Sequence, residues 1–404
     1  MRSLVERLAF ESRSARMLRN FSSWRALRPS AFAAATRGPR PPGTRREHLA
    51  AAIAWLARAQ DVSGGGVSAA YSLRRGWYPP YPETTGYIVC TFYDLANATG
   101  GAAEAERATR MARWLVSIQR PDGSFPGGFG TDPERPPVVF DVGQILQGLV
   151  RAHRETRDAA FLEAARRAGD WLVRAQDDDG AWRRHEYHDI PHVYETRTAW
   201  ALAALSQTTQ TRDYADAARR HAAWALARQR PSGWFSEAAF RTGDTPLTHT
   251  LAYTLEGLHE TGVVLKDSIL AESARRGADA LLARYLAAPR WNRAPPGLVP
   301  GRLDEAWQSG DRWSCLTGSA QIALLWLRIA EEDGLPGRYL AGASRLLDAV
   351  LAVHDTTSSD EGVRGGLAGA YPHWGSYQSY AYPNWAAKFL ADALLAESRV
   401  LARA

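Results

Sequence analysis

Three carboxylates recur at matching places along this 404-residue chain: Glu83, Asp141 and Glu195 each open an apolar run, and His249, Thr317 and Asn384 open three more. Acids gathered on one rim can serve as general acid, general base or nucleophile, and His249 as a base. Close to them in sequence stand Tyr81, Tyr87, Phe140, His192, Tyr194, Arg197, Tyr253, Trp313, Trp374 and Tyr382. Aromatic faces stack on sugar rings while a few polar groups fix hydroxyls, so this mixture describes a carbohydrate pocket. Two reactions fit it. Glycoside hydrolysis needs two of Glu83, Asp141 and Glu195 on either side of a bond, and their separation sets the stereochemical outcome. Epimerisation or β-elimination of a uronic acid needs a base such as His249 or Tyr253, with Arg197 neutralising the carboxylate. Neither requires a cofactor or a metal.

Each residue also has a purely structural reading. An acid at a helix start can cap exposed N–H groups, His249 can be a satisfied core histidine, and Arg197 can pair with Glu195 or Asp141.

The elements that must position these residues come in two kinds. Ala/Arg-rich amphipathic runs (48–59, 103–118, 159–175, 214–228, 267–286, 338–353) predict helices with a solvent face. More apolar runs (85–96, 142–152, 196–206, 250–258, 316–329, 385–396) predict helices packed on all sides. Between them recurs a turn, Gln-x-x-x-Gly followed by an aromatic: Gln119…Gly123…Phe125, Gln176…Gly180…Trp182 and Gln229…Gly233-Trp234-Phe235. The glycine is expected to end its helix in a left-handed cap and the aromatic to pack between hairpins. Asp177-Asp178-Asp179 fills the same slot as a solvated turn. Six pairs spaced by 54 to 68 residues predict an all-α (α/α)6 barrel, a toroid of six helical hairpins, as one domain over 47–404.

These turns resemble those of the squalene-cyclase and protein-prenyltransferase toroids. The inner-helix starts FDVGQILQGL (140–149), THTLAYTLEGL (248–258) and SCLTGSAQIALLWL (314–327) resemble the six-hairpin glycosidases, which include unsaturated glucuronyl hydrolases and sugar 2-epimerases. With YPETTGY (81–87) and AYPNWAAKFLADALL (381–395), the pattern over 47–400 is similar to toroid proteins of bacterial exopolysaccharide loci. That resemblance implies a carbohydrate-active enzyme of polysaccharide assembly or modification, a sugar or lipid-linked glycan partner, and a cytoplasmic setting at the inner membrane face. The chain shows neither the D-x-D-D acid motif of squalene-type cyclases nor the D-x-C…H zinc set of prenyltransferases. An isoprenoid-handling toroid and a non-catalytic glycan-binding protein stand as the alternatives.

The net charge of +6 is uneven. Residues 1–46 hold eleven arginines against Glu6 and Glu11, a net of +9, which leaves −3 for the remainder. The basic excess is therefore a tail property and argues against nucleic acid as a partner. The tail is expected to be a flexible, solvated extension, with weak contact to an anionic membrane surface or an organellar transit peptide as its alternatives, and 33–44 a linker. No stretch is apolar enough to span a bilayer. Cys90 and Cys315 are too few and too far apart for a disulfide framework.

Overall fold

The computed structural model describes residues 35–287, 293–334 and 337–403. Each periodic run becomes one helix: α1 (Arg45–Asp61), α2 (Pro82–Thr99), α3 (Ala102–Ser117), α4 (Val139–Thr156), α5 (Ala159–Ala175), α6 (Thr196–Thr209), α7 (Arg212–Leu226), α8 (Thr248–Leu265), α9 (Ser268–Leu286), α10 (Leu316–Asp333), α11 (Gly337–Leu351) and α12 (Asn384–Arg403). The even helices pack in sequence, α2 to α12 and back to α2, as a closed inner ring, and the odd helices surround it. This is the (α/α)6 toroid.

Tight turns join each inner helix to the outer helix that follows it, so the compact hairpin runs inner to outer. The long connectors run from outer to inner and gather at the end where the inner helices begin. The sixth hairpin is made from both parts of the chain, with α12 packed on α1. Thr44 and Glu47 form a capping box at the start of α1. Arg45 then ties that end to Glu397 (2.8 Å) and Asp348 (2.6 Å). The described part of the expected linker, 35–44, is docked: the Arg40 N–H donates to Ala352 O at 2.8 Å and Arg37 pairs with Asp355. The remainder of the basic tail lies outside the described residues.

The repeated glutamine has a clear role. Gln119, Gln176 and Gln229 each donate from Nε2 to the carbonyl of their turn glycine (3.0, 3.1 and 3.2 Å). Each also reaches a carbonyl inside the next outer helix, that of Ala164, Ala217 or Ser273 (2.8, 3.0 and 2.8 Å). The glycines are not helix caps, since α3, α5 and α7 end several residues earlier. They sit in turns at φ 83° to 94°, and a Cβ on Gly123 or Gly180 would come within 2.4 Å of a carbonyl oxygen of the neighbouring outer helix. Of the turn aromatics expected to pack, Phe125 and Trp182 are buried, whereas Trp234 is half-buried and donates to Leu303 O at 3.0 Å while the adjacent Phe235 fills the core.

Short strands, too brief to leave a period in the sequence, rivet the connectors. β1 (Ala70–Ser72), β2 (Gly76–Trp77) and β5 (Ala381–Pro383) form an antiparallel sheet in the order β2-β1-β5, joining the first connector to the last. β3 (Ser314–Cys315) pairs antiparallel with β4 (Ala370–Tyr371). No helix among the described residues is long and apolar enough to cross a membrane.

Candidate active site

At the N-terminal ends of the inner helices a cavity of about 200 Å³ opens between the connectors. Its wall carries Tyr81, Glu83 and Tyr87 from the start of α2, Phe140 from α4, Tyr194 ahead of α6, and His249 and Tyr253 from α8. Tyr187, His188, Phe240, Thr250, Tyr377, Gln378 and Trp385 complete it. The helical register explains the first set: residues four apart share a face, so Glu83 with Tyr87 and His249 with Tyr253 project together.

Glu83 lies on this wall at 6% exposure. Burial, reinforced by the Asp141 charge, raises its carboxyl well above the usual range despite the facing hydroxyls of Tyr81 and Tyr87 and the cation of Arg197, which favours its protonated form. Asp141 is fully buried one layer behind. Its Oδ2 accepts from the Gly128 N–H (2.8 Å), and its Oδ1 accepts from the Tyr187 hydroxyl (3.1 Å) and the Tyr81 hydroxyl (3.3 Å). Those two hydroxyls lie 2.7 Å apart. Burial also raises Asp141, against the pull of its three donors.

Deeper still, Glu195 accepts from the Thr198 hydroxyl (2.5 Å), while its other oxygen and both oxygens of Glu186 have no donor. The two side chains face one another and burial raises both, so a single shared proton supplies the missing donor. None of the three predicted acids makes a capping bond: the N-cap residues of α2 and α4 are Tyr81 and Val138, neither with a side-chain cap bond, and Glu195, at the N-cap of α6, makes none.

His249 places Nδ1 2.7 Å from Gln321 Oε1, which fixes the proton on Nδ1 and leaves the Nε2 lone pair free. Burial pushes its pKa down to about 3, so the ring is neutral. It packs 4.3 Å from Tyr253 and 5.1 Å from Tyr377 between centroids. Trp385 donates to the Tyr377 hydroxyl at 2.8 Å.

The remaining predicted residues lie off this wall. His192 stacks on Tyr194 (4.5 Å, 12°) and donates to Tyr187 O at 2.9 Å, so it braces the wall from behind. Asn384 donates to Ser68 O (2.9 Å) and Thr84 Oγ1 (2.8 Å), joining β1's connector to α2. Trp313 is buried against Gly301 and Gly375, Tyr382 contacts His373 at 3.4 Å, and Trp374 is half-buried and does not line the cavity. Arg197 pairs with neither Glu195 nor Asp141. Its partners are Glu256 (2.5 Å), Gln144 (2.9 Å) and Gln147 (3.3 Å), and it faces the opposite end of the barrel.

Sequence reasoning passed over Tyr187, His188 and Glu186, which sit in a loop where His185, His188 and Asp189 adopt left-handed φ of 66°, 63° and 54°. His and Asp adopt this conformation more readily than most non-glycine residues, but their presence alone does not say where a loop will use it. Trp385, adjacent to Asn384 in a quoted motif, was within reach of that reasoning. Among the described residues no group of three or more His, Cys, Asp or Glu side chains is arranged to hold a metal ion.

These features define an (α/α)6 toroid with an acid-bearing aromatic cavity at the inner-helix N-termini. The profile of the squalene-hopene cyclase C-terminal domain matches residues 79–258. A curated relative, lanosterol synthase erg7A of Aspergillus fumigatus, is 26% identical over 202 residues, which cover 46% of this chain and 24% of that protein. The chain thus spans about a quarter of the length of that relative. Among solved structures, an unsaturated glucuronyl hydrolase specific for heparin superposes with a TM-score of 0.68 at 16% identity, covering 89% of this chain and 98% of the other. A sugar epimerase from a ruminal bacterium gives 0.66 at 12% identity (87% and 97%). An inactive variant of an α-1,6-mannanase of Salegentibacter sp. HEL1_6 gives 0.57 at 14% identity (88% and 99%). The shared feature is the six-hairpin toroid.

Proposed function

We propose that the protein is a carbohydrate-active enzyme that cleaves a glycosidic bond, with Glu83 as the general acid. The observation that carries this reading is a carboxyl whose proton affinity is raised by burial and by the Asp141 charge, on the wall of a cavity made mostly of aromatic rings. Glu83 delivers its proton to the departing sugar oxygen, water adds to the anomeric carbon as that bond breaks, and the proton the water loses returns to the Glu83 carboxylate. Asp141, acting through Tyr81 and Tyr187, keeps negative charge beside the ring as positive character develops there. His249 Nε2 accepts from a sugar hydroxyl and fixes the ring's orientation. The uronate route is less well supported, because Arg197, its intended cation, is bound to Glu256. The glycosidase and epimerase toroids of the same fold support a sugar substrate. The resemblance to exopolysaccharide-locus proteins supports a setting in polysaccharide assembly, with a lipid-linked glycan as partner and the basic tail near the inner membrane face.

A second reading, an isoprenoid-handling cyclase, is favoured by the profile match over 79–258 and the lanosterol synthase relative. The cavity's roughly 200 Å³ suits one sugar ring better than a long polyene, since it falls below the range common for larger ligands.

The test is proton NMR of product mixtures after incubation with neutral oligosaccharides, uronate-containing oligosaccharides and polyprenyl phosphates. New reducing ends are expected from one glycan class, with Glu83→Gln slowing their release about 10²–10⁴-fold. Turnover of the polyprenyl compound alone would overturn the proposal, as would glycan binding without turnover under any condition.

A further inference from the structure

The opposite end of the barrel holds a larger cavity, about 760 Å³, at the C-terminal ends of the inner helices. It shares only Tyr87 with the site above. Its acids are all engaged: Glu256 by Arg197, Glu260 by Arg328, Asp94 by Arg151, and Asp392 by Lys388 and the Thr91 hydroxyl. The donors are not. Gln147, 8% exposed, gives its Oε1 to Arg197; this fixes the amide's orientation and leaves Nε2 with no partner. Lys388, 4% exposed, has one acceptor, Asp392 at 2.6 Å, for three N–H groups. Its ammonium rests over the rings of Phe389 (4.0 Å) and Tyr87 (4.9 Å). At the exposed rim Arg154 is bound by Thr208, Ala204 and Gln207, all neutral, so its charge faces no carboxylate.

A buried pocket with a free amide N–H, a half-used ammonium and six cations in its lining against four carboxylates, each already paired with a cation, calls for a ligand that brings negative charge and acceptors. We propose that this C-terminal cavity is a second ligand site, which takes a small sugar-sized molecule bearing an oxyanion, either a carboxylate or a phosphoryl group. Lys388 and the Gln147 amide receive the oxyanion at the floor, Trp200 and Tyr87 face the body of the ligand, and Arg154 draws it in from the rim. The space exceeds what a bare oxyanion needs, which is why the ligand has a body. Because Tyr87 belongs to both cavities, an occupant here contacts the wall of the site that carries Glu83.

Isothermal titration of the full chain with glucuronate, glucose 1-phosphate, inorganic phosphate and glucose tests this. Glucuronate or glucose 1-phosphate is expected to bind, the better of the two identifying the oxyanion, with glucose at least tenfold weaker. Lys388→Met and Gln147→Leu should each weaken binding about tenfold or more, the scale of one charged hydrogen bond. Glu83→Gln should leave it unchanged, which separates this site from the proposed catalytic one. Lys388→Met strands Asp392 and risks misfolding. Arg154→Ala, which strands no acid, keeps the test open and should weaken binding several-fold. Absence of binding by either anionic sugar, equal binding of glucose, or affinity indifferent to the Gln147 and Arg154 variants would overturn the proposal.

Discussion

The two mouths of one barrel treat buried charge in opposite ways. At the C-terminal mouth every wall carboxylate meets a cation, as in the pairing of Glu256 with Arg197 at 2.5 Å, where both residues are nearly inaccessible. At the N-terminal mouth Glu83, Asp141, Glu186 and Glu195 crowd together with hydroxyls, one backbone N–H and no ion pair. Pairing is what a structure does to tolerate buried ions; leaving carboxyls unpaired raises their pKa and keeps protons where a reaction can use them. The same helices supply both ends, so the contrast lies in which residues the sequence places at the starts and at the middles of the inner helices.

The sharpest way to break this contrast is to unpair the C-terminal end. Arg197→Met leaves Glu256 buried without its cation and should cost about 3–5 kcal/mol in urea unfolding, most of it regained in Arg197→Met/Glu256→Leu. A double variant no more stable than the single one would show that the pair is not what holds this floor. A change in the shared wall is expected to be smaller. Gly148 lies where α4 crosses α2, and a Cβ there would stand 2.2 Å from Gly86 O. Gly148→Ala should therefore cost about 1–3 kcal/mol, read from the same unfolding curves, and should weaken both mouths together.

The smallest effect sharpens the comparison by pH. Glu186 and Glu195 have folded pKa values raised above that of a free glutamate, so the stability they allow is present below about 4.5 and is lost as pH rises through the raised values. Glu195→Gln supplies the missing donor permanently. Its Tm relative to the unsubstituted protein should climb as pH goes from 5 to 8. A difference independent of pH would mean the two carboxyls do not share a proton.

Much of this was legible in the sequence, for physical reasons. Helical periodicity and the repeated glutamine turn survive in any single copy, so the toroid, its twelve helices and the single ring could be read directly. Glu83 and His249 were legible because they begin inner helices, and every inner helix begins at the same mouth. What remained hidden depended on contacts across the chain. Glu256, on the same helix as the predicted Tyr253 and His249 but nearer its middle, looked like an ordinary helical acid, yet it captures Arg197. Asp141 and Glu195 occupy equivalent sequence positions to Glu83 but sit behind tyrosines delivered by a loop without periodicity. The turn glycines followed the pattern expected of caps, while their actual constraint, an approach to the next outer helix, is a tertiary contact.

The central claim is that Glu83 carries a proton at neutral pH because nothing positive neutralises it on that wall. Infrared difference spectroscopy between the unsubstituted protein and Glu83→Gln, recorded across pH, addresses it directly. A protonated-carboxyl band present at pH 7 and lost in Glu83→Gln is the predicted result. A Glu83 signal already ionised at pH 5 would contradict the account, and the N-terminal mouth would then have no acid to give.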